Sequence, residues 1–198
     1  MIQPSSTRFL GVSASLAAVQ TAEIVAPIEP ANSPQSGFVV PGVFSERIQQ
    51  ELATATRYPN TRLTYDRQKP SYVDLSTKPV RLTDLMNEAG RIVPDSVIEY
   101  VPDMDEEVDL LYALAPWGEL RVTWRLPGVY HSSMFGPAQD LVAAGHVYVK
   151  DGEVSGINLD SGHFAPDNDA SLTLVRRVLV GLNIPLTDDF ILDFTRET

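Results

Sequence analysis

The sequence predicts an α+β domain, an antiparallel β-meander of hairpins with a few packed helices, behind a disordered N-terminal tail. Three observations carry this. From Val108 to Ile157 short apolar runs alternate with turn residues, the pattern of strands rather than long helices. Asp151-Gly152 stands between two such runs, and a type I′ turn needs positive φ at both central positions, which Asp-Gly supplies. Residues 1 to 37 differ in composition: rich in Ser, Ala and Pro, first acidic residue at Glu23, and three prolines between Pro27 and Gly37. The expected organisation is therefore a leader over 1–37 and a single α+β domain over 38–198.

The leader has two readings beyond simple disorder. Arg8 followed by Phe9 to Val19 has the outline of a secretory signal, diluted by Ser and Gly. The same serine-rich, carboxylate-poor start resembles the N-termini of bacterial type III secreted effectors. Past it, Ser45 can cap a short helix whose Ile48, Leu52 and Ala55 share one face. Residues 57 to 80 read as a Pro- and Tyr-punctuated connector with room for one short strand. A second helix is expected from Leu82 to Ala89, ended by Gly90, then a strand at Ser96–Val101. Asp103 to Glu107 is a solvated charge run without the turn glycine of a calcium loop.

Val108–Leu114 and Glu119–Leu126 read as strands joined by Ala115-Pro116-Trp117-Gly118, and Gly128–Gly136 as a third run. In the next hairpin a two-residue turn would set Val149 opposite Val154, Tyr148 opposite Ser155 and His146 opposite Ile157. Both faces would then be apolar and covered. Leu172, Val175, Val178, Leu179 and Leu182 have helical spacing, with Asp167 and Asp169 placed to meet the helix N-terminus. Asp189–Phe194 closes the fold as an edge strand.

Composition narrows function. Of 198 residues 43% are hydrophobic, which supports a real core. No run reaches the ~20 apolar residues of a membrane span. The formal net charge of −11 repels phosphate backbones and anionic lipids, so neither nucleic acid nor a membrane surface is an expected partner. There is no cysteine, which removes disulfides, thiolate nucleophiles and Cys-type metal sites. No cofactor is expected.

The chemistry-bearing residues gather in two stretches, "HSS" at 131–133 and "LDSGHFAP" at 159–166. A hydrolase would use Ser132 or Ser133 as nucleophile, His163 as base and Asp160 as the carboxylate that orients it, though the Gly-x-Ser-x-Gly elbow is absent. A metal site would draw on His131, His163, Asp160 and Asp167, with no His-x-x-x-His spacing to impose geometry. An ADP-ribosyltransferase would take Arg125, Ser132-Ser133 and Glu153 in that order, without a Glu-x-Glu pair. His146 reads as a packed or rim histidine. A structured corner explains every residue type: Ser161 bonds local backbone, Gly162 takes positive φ, His163 donates to a carbonyl, Phe164 plugs the core and Pro166 ends the strand.

The stretch "GVYHSSMFGPAQDLVAAGHVYVKDGEVSGINLDSGHFAP" also resembles a module of plant IQ-motif calmodulin-binding proteins that is met in bacterial effector- or toxin-like proteins. The matching positions are His131, Ser132 and Ser133, then Ala143, Ala144 and Gly145, then Gly152, and Ser161, Gly162, His163 and Pro166, within about residues 110 to 186. Phe164 and Ala165 stand where that module has Tyr and Arg, and Met134-Phe135-Gly136-Pro137 replaces its glycine-rich step. The sequence contains no IQ motif, so calmodulin binding is not carried over. The resemblance implies a shared fold and a host-facing role.

These readings converge on a bacterial secreted effector-like protein whose α+β domain binds a protein partner, a host protein in that context. His131, Ser132, Ser133, Asp160, Ser161 and His163 are its candidate binding residues, with the histidines bordering a groove. An enzyme built on the same corner, and an acidic accessory or immunity-type protein that blocks a basic partner, are the alternatives. The location follows the function: a host cell after secretion, or the cytoplasm.

Overall fold

A computed structural model describes residues 44–94, 107–166 and 168–193, all within the compact unit Ser36–Thr198. The leader, the expected strand at Ser96–Val101, the charge run up to Glu106, Asp167 and Phe194 lie outside the described residues. Among the described residues no helix is long and apolar enough to cross a membrane.

Among the described residues five strands form one sheet: β1 (Val108–Leu114), β2 (Leu120–Trp124), β3 (Ala143–Lys150), β4 (Glu153–Ile157) and β5 (Leu186–Leu192), in the order β2-β1-β3-β4-β5. Two hairpins supply most of it. The first turns where Gly118 N–H meets Ala115 O at 2.9 Å, with Gly118 at φ 89°. The second turns at Asp151 (φ 53°) and Gly152 (φ 77°), the two positive values a type I′ turn requires. β3 returns to pair with β1, and β5 joins β4 in parallel because the helix α3 (Asp169–Gly181) carries the chain back between them.

Side-chain alternation divides the sheet into two buried faces. Leu110, Tyr112 and Leu114 of β1 join Val147, Val149 and Ile157 against α3 and against helix α1 (Glu46–Thr54), through Leu52, Leu172, Val175, Val178 and Leu179. The opposite residues, Leu111, Ala113 and Ala144, pack with Tyr58, Met134, Leu141 and Phe164. Helix α1 begins as its sequence suggests, whereas the cap of α3 is the asparagine between the two expected aspartates. Ser45 Oγ accepts from Ile48 N–H, and Asn168 Oδ1 from Ala170 N–H at 2.8 Å, so Asn168 caps α3 and Asp169 lies in its first turn.

Four expectations are corrected. Gly128–Gly136 is not a strand but a loop holding one 3₁₀ turn, His131–Ser133. Leu82–Ala89 shortens to a 3₁₀ turn, Leu82–Leu85, because Asn87 Oδ1 accepts from both Ala89 and Arg91 N–H (3.0 Å each) and diverts the backbone. The hairpin keeps Val149 opposite Val154, but Ser155 is an extra, bulged residue, so Tyr148 faces Gly156 and Val147 faces Ile157. The connector over 57–80 contains a helix of its own, α2 (Leu63–Gln68).

Candidate functional site

The two singled-out stretches meet on the face of the sheet away from α3, and backbone bonds hold each one in place. In the 131–133 turn, Ser133 Oγ accepts from Tyr130 N–H at 3.1 Å and Ser133 O accepts from Leu75 N–H at 2.9 Å. In the 161–165 turn, Ala165 N–H reaches Ser161 O at 2.8 Å, and it is Ala165, at φ 41°, that adopts the left-handed conformation expected of Gly162. A third segment is stitched across both. Tyr58 and Leu141 exchange backbone bonds of 2.8 and 3.1 Å, and His163 O receives Thr61 N–H and Thr61 Oγ1, each at 2.8 Å.

That third segment delivers Asp66 of α2, a carboxylate with no solvent exposure. Its Oδ2 accepts from Ser132 Oγ and from Asn60 Nδ2, both at 2.8 Å, and its Oδ1 accepts from His163 Nε2 at 3.0 Å. Accepting at both oxygens is the role of an ionised carboxylate, and three donors are what make such a burial tolerable. The His163 ring lies 4.6 Å from that of Tyr130, whose hydroxyl receives Lys69 Nζ. Burial holds the His163 imidazole below its ordinary pKa in spite of Asp66.

His131 forms the second half. Its Nε2 lies 2.9 Å from Gly145 O, which can only accept, so Nε2 carries the proton and Nδ1 accepts from Ser161 Oγ at 3.1 Å. Burial pushes this imidazole down to about 4, the Gly145 carbonyl opposing the shift. Asn158 fixes the register beneath it: its Oδ1 accepts from His146 and Asp160 N–H, and its carbonyl from Tyr112 Oη at 2.8 Å. His146 sits at the rim, with Nδ1 2.6 Å from Asp109 Oδ1.

The structure thus brings His131 to Ser161, and Ser132 to His163 through Asp66. It does not bring Asp160 to either. Asp160 is exposed, and Asp66 takes the place assigned to it beside His163. Ser133 serves the local turn. Ser132 donates to the Asp66 carboxylate and not to an imidazole, so the serine–histidine pair of the hydrolase reading is not formed. The Ser161–His131 contact does pair hydroxyl with imidazole, but a base with a pKa of about 4, buried with its serine, is poorly matched to proton abstraction near neutrality. Glu153 is bound to Arg91 at 2.6 Å, and Arg125 is exposed beyond β2, so these two do not join the serines. Among the described residues no three His, Asp or Glu side chains gather to hold a metal ion.

The residues missed in the sequence are Asp66, Asn60 and Asn158. An aspartate in a short polar helix reads as solvated, and nothing within ten residues of it signals burial.

Linkage sets a pH dependence. Unfolded, His131 regains a pKa of ~6.5; folded, it stays neutral to about 4. The stability this provides is complete above ~6.5 and is lost as pH falls toward 4, and His163 shifts in the same direction. Lowering pH from about 7.5 to about 5 is expected to cost about 2 kcal/mol, read as a lower urea midpoint. The His131 ring resonances should not titrate above pH ~5; titration at the ordinary value would refute the assignment.

A different surface is open. Between the segment 73–80 and β2 lies a cavity of about 300 Å³ lined by Val73, Leu75, Val80, Trp124, Leu126 and Val129 among others. Its walls are tied on each side by Val73 N–H to Gly128 O (3.0 Å) and Val122 N–H to Val80 O (2.9 Å), which leaves the middle unfilled. Leu126 is 51% exposed and Val73 39%. None of the six sequence-predicted binding residues lines it; Met134, just past the His131–Ser133 turn, is the link between corner and groove.

No protein-family model, no curated protein and no solved structure matches this chain.

Proposed function

We propose that this protein is a bacterial secreted effector-like binding module: a leader that directs export, and an α+β domain that docks a protein partner in the apolar groove beside β2. One observation carries the reading. The polar corner is buried and spends its hydrogen-bonding groups on itself, whereas the groove presents apolar side chains to solvent. An active site needs a reactive group facing an open cleft. A binding surface needs exposed apolar area on a rigid frame, and the tied walls supply that frame. The corner then acts as the brace that fixes the 131–134 loop. The secreted, host-facing context is supported by the composition of residues 1–37 and by the resemblance of residues 110–186 to the effector-associated module.

The test is site-specific photo-crosslinking of the full chain in host-cell extract. A cross-linker at Leu126 is expected to capture one host protein saturably, while one at Val180, exposed on α3 and outside the groove lining, does not. Equal capture at both positions, or capture only near His146 and Asp109, would overturn the groove as the docking site.

A further inference from the structure

The charged lining of the groove runs against the sign of the chain as a whole. The chain carries a formal net charge of −11, yet the charged residues lining the groove, Lys78 and Arg121, are both cationic. Arg125, exposed and flanked in the chain by the lining residues Trp124 and Leu126, is a further cation near the groove, outside its lining. Two carboxylates, Asp74 and Glu119, lie close by, and the cations Lys78, Arg81, Arg121 and Arg125 outnumber them. Asp74 Oδ1 accepts from Ser76 N–H at 2.8 Å, and Glu119 is held by Arg121 (2.9 Å), Arg81 (3.4 Å) and Trp117 (3.0 Å). Arg121 stacks over Phe135 at 4.0 Å and donates to Ser76 O and Met134 O, so it also builds the wall.

From this charge inversion we infer that the groove recognises a short peptide segment of a partner protein in which a few apolar side chains are bordered by Asp or Glu. The inference rests on the docking reading above and adds the partner's chemistry. The apolar side chains fill the cavity against Trp124, Val80 and Val129, where burial of apolar area supplies affinity. The flanking carboxylates meet Lys78 and Arg125. The net negative charge of the chain disfavours such a segment over much of the remaining surface, so selectivity comes from a locally positive site on an acidic protein. A basic segment would be drawn to the rest of the surface and turned away from the groove.

The test is selection of random peptides by display against the full-length chain, followed by titration of an enriched synthetic peptide. Enriched sequences are expected to share apolar positions next to Asp or Glu. Affinity should fall several-fold between about 50 and about 300 mM salt, because exposed charge pairs are screened. Leu126→Glu should abolish binding. The double variant Lys78→Glu, Arg125→Glu, at two exposed positions, should weaken it about tenfold with an unchanged urea midpoint. Two outcomes count against the proposal and are distinguishable. Peptides that need Leu126 but show no acidic bias, and bind the charge-reversed variant equally well, overturn the acidic partner and leave the groove standing. Peptides indifferent to Leu126→Glu, or no enrichment at all, overturn the docking reading itself.

Discussion

Replacing Asp66 with alanine is expected to destabilise the domain by about 3–5 kcal/mol. The reason is what remains. Ser132 Oγ and His163 Nε2 both lose their acceptor in a buried site, while Asn60 keeps Pro137 O at 3.0 Å. Globular domains hold only about 5–15 kcal/mol in all, so this is a large share, and the melting temperature should fall by roughly 10 °C. Asp66→Asn keeps the shape but turns an amide donor toward groups that are themselves donors, and its loss should be intermediate. Asp160→Ala, in the stretch that drew attention in the sequence, should change stability by no more than about 0.5 kcal/mol. Equal urea midpoints for the Asp66 and Asp160 variants would show that the buried carboxylate does not organise the corner.

Gly145→Ala should be the most damaging single-methyl change in the corner. A Cβ at that position would lie 2.1 Å from Asn158 O and 2.9 Å from Leu159 Cα, both backbone atoms with no side chain to swing aside. β3 and the residues after β4 would have to part, breaking Asn158 N–H to His146 O and moving the carbonyl that holds His131. The cost is expected to exceed about 3 kcal/mol, with loss of a cooperative urea transition or of soluble protein. Gly162→Ala is the contrast, since nothing lies within 4 Å of its added methyl and its φ is not positive. It should fold like the parent. Should the two variants behave alike, the close approach at Gly145 is not a constraint.

These pairs show where sequence reading succeeds and where it stops. The 161–166 corner stood out because Ser, Gly, His and Pro are turn and capping residues, and turns obey local rules. Its internal roles did not follow. Gly162 was the natural choice for positive φ, yet Ala165 holds it, because the Ala165 N–H bond to Ser161 O closes the turn one step later. Asp160 was the natural orienter for His163 by proximity in the chain. The true acceptor lies 97 residues away, and 66 residues from Ser132.

Periodicity and turn chemistry, written in neighbours a few residues apart, were enough to establish the α+β class, the Asp151-Gly152 hairpin, the amphipathic face of α3 and the mixed apolar coating of β3 and β4. Only tertiary structure decided that Asp66 is buried, that Ser155 bulges, and that an open apolar groove beside β2 lies apart from the histidine corner. The physical reason is range. A backbone torsion answers to adjacent residues, but the energy of a buried charge depends on which donors the fold carries to it from distant parts of the chain.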